Sequence, residues 1–244
     1  MQGSFFEFRD RIAANPQIVA RIQKEGKAAV LGDLLRNSAE SPFALNLGPR
    51  RVFWQLVIGG VFDRHPNLKL CLTEIRADWI PATLKELDRL FDAGDFTAKL
   101  KPSEYFRKHV WVTPSSPRRH EIMDRHAIGL EHFMFGVDFP HSEATWPNTA
   151  DWIRTAFEGV PEAEARMILG ENAVKCYGLP EAHLRAVAKR IGPVASDLLG
   201  RADAVPNVVI DHFTARAGYG FDREDVDLDV VRSAVAQDHA ALTA

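Results

Sequence analysis

Short apolar runs alternate with amphipathic helical patterns through the middle of the chain. Each run is nearly continuous in bulky apolar side chains, which is typical of a parallel strand buried on both faces. The alternation of such strands with helices predicts an α/β protein with a parallel sheet. The predicted strands are residues 68–73, 110–113 and 133–137.

The rest of the pattern is helical, and it divides the chain into three segments. Residues 1–48 form a predicted helical N-terminal segment, residues 49–180 carry the strands, and residues 181–244 form a predicted helical tail. The clearest helix begins at Trp79, because its apolar side chains fall on one helical face. The predicted helices include residues 4–36, 49–62, 79–91, 103–108, 148–157, 161–169 and 171–177.

Composition and charge restrict the class of protein. The 244 residues are 46% hydrophobic and 26% charged, with a formal net charge of −3, as in an ordinary globular protein. Basic residues are scattered among acids, so neither a nucleic acid nor a membrane is expected as a partner. Cys71 and Cys176 fall within a predicted strand and a predicted helix. Reduced cysteines of this kind indicate the cytoplasm.

The stretch FMFGVDFPH, residues 133–141, holds the first candidate chemistry. Asp138 follows the apolar run at the carboxyl end of a predicted strand, where parallel sheets build their active sites. An acid there, with His141 shortly after it, can bind a metal, hold a water or move a proton. The alternative is that Asp138 caps the turn before Pro140 and His141 lies on the surface.

Four passages and a closing segment together carry a resemblance to a known family. They are VIGGVFDRHPNLKLCLTE at 57–74, ADWIPATLKELDRL at 77–90, SEYFRKHVWVT at 103–113 and FGVDFPHSEATWP at 135–147, closed by ILGENAVKCYGL at 168–179. In this order they resemble the amidohydrolase-related family, whose metal-dependent hydrolases and decarboxylases include aminocarboxymuconate-semialdehyde decarboxylase. The resemblance covers residues 43–180.

This resemblance implies a TIM-like (β/α)8 barrel, of which the chain would supply about the last three strands with their helices. A complete barrel of this kind needs about 250 residues. Family members normally bind their metal through a His-x-His or Glu-x-His pair after the first strand, yet no histidine precedes His65 here. The expected fold class is therefore α/β, a partial TIM-like barrel with helical N- and C-terminal segments.

The resemblance also assigns roles to three residues. Asp138 matches the acid after the last barrel strand, which binds the metal or takes a proton from metal-bound water. Glu74 would orient a water or act as acid or base, and an ion pair with Arg76 is the alternative. His141 would brace the loop by hydrogen bonding to Asp138 or Glu74. The expected cofactor is one divalent ion, zinc in preference to manganese or iron, or none if the ligand set is incomplete.

Two functions follow as alternatives. The first is a metal-dependent hydrolase or carboxy-lyase that acts on a small organic substrate, aromatic or carboxylated. The second is a truncated, non-catalytic remnant, or half of a split enzyme that needs a partner to complete the barrel. The expected partners are a small-molecule substrate and either a second copy of the chain or a complementing chain.

Oligomeric state provides a test of the partial-barrel expectation. Three parallel strands outside a closed barrel leave two unpaired sheet edges, which favour association. We therefore expect the isolated chain to elute as a dimer in size-exclusion chromatography, or to unfold at low denaturant concentration. A stable, compact monomer would contradict this expectation.

Overall fold

The computed structural model describes residues 14–26, 30, 47–141, 144–200, 205–206, 208–209 and 228–244. The chain divides into two compact units, residues 1–52 and 53–244. In the first unit, helix α1, Pro16–Glu25, follows Asn15, whose side chain accepts hydrogen bonds from two backbone N–H groups of the first turn. Such a cap stabilises a helix start by about 1 kcal/mol. The remainder of the helix predicted over 4–36 lies mostly outside the described residues.

Helices make up most of the described chain. Helix α2, Leu47–Ile58, contains the boundary between the units. It is followed by α3 Val61–Arg64, β1 Leu70–Thr73, α4 Ile80–Ala93, α5 Pro102–His109, β2 Val110–Thr113, α6 Arg119–Met123 and α7 Arg125–Ile128. After a 3-10 turn at Leu130–His132 come α8 Thr149–Ala156, α9 Glu162–Arg166, a π-helical turn Met167–Glu171, α10 Asn172–Tyr177, α11 Glu181–Ile191, α12 Ala195–Leu198 and α13 Leu228–Thr243.

The two strands pair in parallel, with Leu70 opposite Val110 and Thr73 opposite Thr113. A third segment, residues 133–136, lies parallel to β2 and is joined by single bridges to Val112 of β2 and to Ser115 just after it. The described part is therefore α/β with parallel strands, as the alternating pattern predicts. Because the three segments run in the same direction, their carboxyl ends lie at one edge.

The third segment corrects the prediction of a full strand over 133–137. The backbone N–H of Met134 donates to Val112 at 2.8 Å, as in a parallel ladder, but that of Phe135 donates to Ile168 at 3.0 Å. Ile168 belongs to the π-helical turn, so the second neighbour of this segment is a helix carbonyl instead of a strand. The ladder with β2 is interrupted between the two bridges because Pro114, directly after β2, has no backbone N–H to donate to this segment.

Aromatic side chains fill the core of the second unit. Helix α4 contributes Ile80, Leu84, Leu87 and Leu90, all of them buried on one face as its pattern predicts. Full burial of one such side chain stabilises the fold by about 1.5–3 kcal/mol. The largest fully buried aromatic residues are Phe53, Trp54, Phe62, Trp79, Phe96, Tyr105, Phe106, Phe133 and Phe157. No helix among the described residues is both long enough and apolar enough to cross a bilayer.

Two predicted boundaries are wrong by a few residues. The helix expected over 49–62 is interrupted between α2 and α3, where Gly60 takes a left-handed φ of 64° that other residues adopt at a cost. The strand expected over 68–73 begins at Leu70, because Leu68 is exposed and its carbonyl accepts a hydrogen bond from His109. The strand predicted over 110–113 is confirmed.

The described parts of the tail are largely helical, and α13 packs against α4 through polar groups. The buried indole N–H of Trp54 donates to the buried Asp238 carboxylate at 2.7 Å. The Arg232 guanidinium donates to Glu86 at 2.5 Å, and Arg89 donates to the same carboxylate. These hydrogen bonds lower the pKa of Glu86 from its ordinary 4.5 to about 2, with Arg89 the larger contributor. Residues 210–227 of the predicted tail lie outside the described range.

Acid should weaken the fold through Glu86. A carboxyl group with a lowered pKa in the folded state stabilises it above pH 4.5 and loses that contribution as the pH falls toward 2. The free energy of unfolding of the wild type should therefore drop more steeply between these values than that of Glu86→Gln, measured by denaturant titration. Glu162→Gln, which removes an exposed ion pair with Arg166, is the control and should follow the wild-type slope.

Candidate metal site

Residues other than glycine with a left-handed backbone φ are found, within the described chain, only at the carboxyl edge of the three parallel segments. Apart from glycines, the described residues with a left-handed φ are Glu74 at 57°, Ser116 at 48° and Asp138 at 62°. One follows each segment. A left-handed backbone costs a residue with a side chain about 1–2 kcal/mol, so this edge stores strain, as functional sites commonly do.

Three potential metal ligands meet at this edge. One donor atom each from Glu74, Asp138 and His141 lies within 4.8 Å of the other two. The Asp138 carboxylate is also 3.1 Å from Nδ1 of His141, an interaction that orients the ring. Glu74 and His141 are exposed and Asp138 is half-buried, so the cluster faces solvent. The structure thus brings together the three residues singled out from the sequence, whose roles stay predictions.

Local turns explain the placement of each ligand. The backbone N–H of Glu74 donates to Thr113 at 3.0 Å, which extends the β1–β2 pairing by one residue. The Asp138 carbonyl accepts from the N–H of His141 at 2.8 Å, so the chain turns back and both side chains remain near the edge. Parallel pairing brings Glu74 and Asp138 to the same edge although they are distant in sequence.

The donor chemistry fits a divalent ion. Two carboxylates and one imidazole are ligands that zinc, manganese and iron all accept. Three protein ligands with an open position are the usual composition of a catalytic zinc site. The resemblance assigned the metal to Asp138 and gave His141 the role of bracing the loop. The sequence contains a Glu-x-His pair, Glu181 and His183. Both residues lie on the exposed helix α11 and are not part of the cluster.

Trp79 and Trp146, the next tryptophans after Glu74 and Asp138 in the sequence, have different environments. Trp79 is fully buried and belongs to the core. Trp146 is 59% exposed and packs edge to face with Phe139, itself 61% exposed, at a ring-centroid distance of 5.3 Å. Since Phe139 directly follows Asp138, this aromatic pair lies beside the candidate metal ligands.

Sequence reasoning missed a buried polar group behind the site. Glu121 is fully buried, and its carboxylate accepts hydrogen bonds from the backbone N–H groups of Ala77 and Arg118. Nearby, His120 and Arg76 both contact Asp78. The only sequence signal was a glutamate at the third position of a helix, the usual place of an N-terminal capping acid.

Comparison with known proteins supports the assignment of a family. A family model described as Amidohydrolase matches residues 42–179. The gamma-resorcylate decarboxylase of Rhodococcus jostii (strain RHA1) is 29% identical over 147 residues, covering 54% of this chain and 43% of that protein. A similar solved structure is the crystal structure of a dihydroxybenzoic acid decarboxylase from Polaromonas sp. JS666, with bound manganese and the inhibitor 2-nitroresorcinol. Its sequence is 25% identical, and the TM-score is 0.44. The match covers 53% of this chain and 40% of that chain.

The fold and the ligand cluster define an α/β protein with a candidate metal site at the carboxyl edge of parallel strands. Since the family model matches more than half of its residues, the chain belongs to the amidohydrolase family. The resemblance inferred from the sequence is thereby confirmed. The chain spans about two fifths of the length of these relatives, 43% and 40%.

The strained backbone at Glu74 gives a test of this geometry. With a φ of 57° at this position, Glu74→Gly should be more stable to unfolding than Glu74→Ala by about 1 kcal/mol, because glycine adopts the left-handed region without strain. The same pair of substitutions at Glu104, within helix α5, should give the opposite order. Equal stabilities at position 74, measured by urea titration, would contradict a left-handed Glu74.

Proposed function

We propose that the chain carries the metal-binding edge of an amidohydrolase-family decarboxylase that acts on a hydroxylated aromatic carboxylic acid. The observation that carries the proposal is the meeting of Glu74, Asp138 and His141 within 4.8 Å at the carboxyl edge of the parallel strands. The reaction and the substrate class are suggested by the gamma-resorcylate decarboxylase relative.

In this proposal, Glu74, Asp138 and His141 hold one divalent ion, either zinc, manganese or iron. When bound, such an ion supplies a positive charge that stabilises negative charge on substrate oxygens. Family membership and the donor chemistry support a metal without selecting among the three. Asp138 is the principal ligand, because it is the least exposed of the three and also orients His141.

In this proposal, the protein side chains supply the proton that the ring carbon takes up on decarboxylation. Decarboxylation breaks the bond between the ring carbon and the carboxylate carbon, and the electron pair left on the ring must take up a proton. An imidazole that holds a metal through one nitrogen and is hydrogen-bonded to a carboxylate through the other has no proton to deliver to the ring carbon, so in this proposal His141 serves as a ligand. Its hydrogen bond to Asp138 at 3.1 Å fixes the orientation of the ring. In this proposal Glu74 orients a water or acts as the acid or base, because its second carboxylate oxygen can exchange a proton with a water or the substrate.

The exposed aromatic pair supports an aromatic substrate. Phe139 and Trp146 present ring surfaces beside Asp138, although large aromatic side chains are usually buried when they have only a structural role. Planar rings stack favourably on such surfaces, by about 0.5–1.5 kcal/mol beyond the area that they bury. We assign these two side chains to substrate binding.

The exposure of the site favours a second candidate, a chain that becomes catalytic only when another chain covers the site. The His141 side chain is 56% exposed, whereas catalytic sites generally exclude water. In this form the isolated chain binds metal and a partner, or a second copy, closes the substrate pocket.

Metal binding and decarboxylation are tested on the purified chain and its Asp138→Asn variant. Elemental analysis of the wild type after dialysis should give about one divalent ion per chain, and Asp138→Asn should bind it at least about tenfold more weakly, since even residues behind the ligands change affinity by 10–100-fold. Release of carbon dioxide from gamma-resorcylate should be lost in this variant. Asp92→Asn, which removes an exposed partner of Lys101, is the control and should behave as wild type.

The outcomes separate the two candidates. Metal binding with carbon dioxide release supports the enzyme. Metal binding without turnover supports the chain that needs a partner to cover the site. A wild type that retains no metal, or an Asp138→Asn variant with unchanged affinity, would overturn both.

A further inference from the structure

The loop that carries Glu74 is fastened at two closely spaced points. Its first anchor is the backbone N–H of Glu74, which donates to the Thr113 carbonyl of β2 at 3.0 Å. Its second is the backbone N–H of Ala77, which donates to Oε1 of Glu121 at 2.6 Å. Only Ile75 and Arg76 lie between the anchors. The left-handed φ of Glu74 is thus at one end of a very short constrained segment.

Glu121 uses both of its carboxylate oxygens. Oε1 accepts from Ala77, and Oε2 accepts from the backbone N–H of Arg118 at 2.8 Å, which caps the start of helix α6. One side chain therefore joins the loop after β1 to the loop after β2. It is fully buried, and a buried carboxylate is costly unless its oxygens accept hydrogen bonds. Here two backbone donors satisfy it.

A second contact reinforces the same junction. His120, which precedes Glu121 on α6, lies 3.2 Å from the Asp78 carboxylate through Nε2. Arg76 donates to that carboxylate at 2.6 Å. The loop after β1 is consequently held on both sides of Ala77 by groups that belong to, or pair with, helix α6.

We infer that Glu121 is a positioning residue for the metal site: by holding the amide of Ala77 it keeps Glu74 in its left-handed conformation and directed toward Asp138. This inference rests on the proposed function, because it assigns Glu121 a part in metal binding. Backbone strain persists only where the surroundings over-determine it, and Glu121 is the group that does so here. Without this anchor, the loop can relax and carry the Glu74 carboxylate away from the other ligands.

The test is the affinity of Glu121→Gln for Mn²⁺, followed by electron paramagnetic resonance of the free ion. Glutamine keeps the size of the side chain but has one acceptor oxygen instead of two, so at least one backbone N–H loses its partner. We expect Mn²⁺ binding to weaken about tenfold, as for other residues that position metal ligands. The matched control is Glu104→Gln, which alters a capping acid at the same position of helix α5 and should leave the affinity unchanged.

A double-mutant cycle separates positioning from general destabilisation. If Glu121 acts through Glu74, then Glu121→Gln should weaken Mn²⁺ binding in the wild type but add nothing in a Glu74→Gln background. Equal losses in both backgrounds would overturn the inference, as would unchanged affinity in Glu121→Gln alone.

Hydrogen exchange of the wild type keeps the inference testable even if Glu121→Gln does not fold. The amide of Ala77 should be protected in two-dimensional NMR, and exchange at the rate of an unstructured amide would overturn the proposed anchor. This readout needs no metal. A wild type that binds no Mn²⁺ would therefore contradict the proposed function, whereas fast exchange at Ala77 would contradict the role of Glu121 alone.

Discussion

Parallel pairing of backbone segments is the constraint on which the rest of this molecule depends. The register of β1 on β2, continued by the bond from Glu74 to Thr113, aligns the carboxyl ends of these strands. The third segment attaches to β2 through Met134 and to Pro114, just after β2, through Gly136, which brings Asp138 to the same edge. Glu74 and Asp138 are distant in sequence, so local turns do not bring them together. Their proximity exists only because hydrogen bonds hold three separate segments in one direction.

The left-handed residues at this edge are accompanied by hydrogen bonds from distant parts of the chain. The left-handed residues lie where the strands end, and each is costly by itself. The surrounding hydrogen bonds offset that cost: Glu121 holds the loop after β1, and the Ser116 hydroxyl donates to Thr145. Such bonds between distant parts of the chain stabilise conformations that local propensity disfavours. We therefore expect metal binding at this edge to change when residues that do not themselves hold the metal are substituted.

Much of this arrangement was predictable because it follows from local patterning. Strand β2 and the buried face of α4 agree with their apolar periodicity, and Asp138 was recognised from its place after a buried run. What depends on tertiary contacts was not predictable. The third predicted strand reduces to two bridges because Pro114 interrupts its pairing with β2, and its other neighbour is the Ile168 carbonyl. Glu121 escaped notice because the sequence does not reveal that its second oxygen reaches Ala77.

The exposure of the candidate ligands bears on the proposed decarboxylation. Metal ligands can remain accessible to water, but breaking a carbon–carbon bond is aided by a site that excludes water. The His141 side chain is 56% exposed, and the aromatic rings of Phe139 and Trp146 are largely exposed as well. The two rings contact each other and form one exposed apolar patch, a common feature of binding sites. Covering them with a planar substrate, a second chain or both would desolvate His141 and Asp138 together, so substrate binding and closure of the site would be coupled by the same surface.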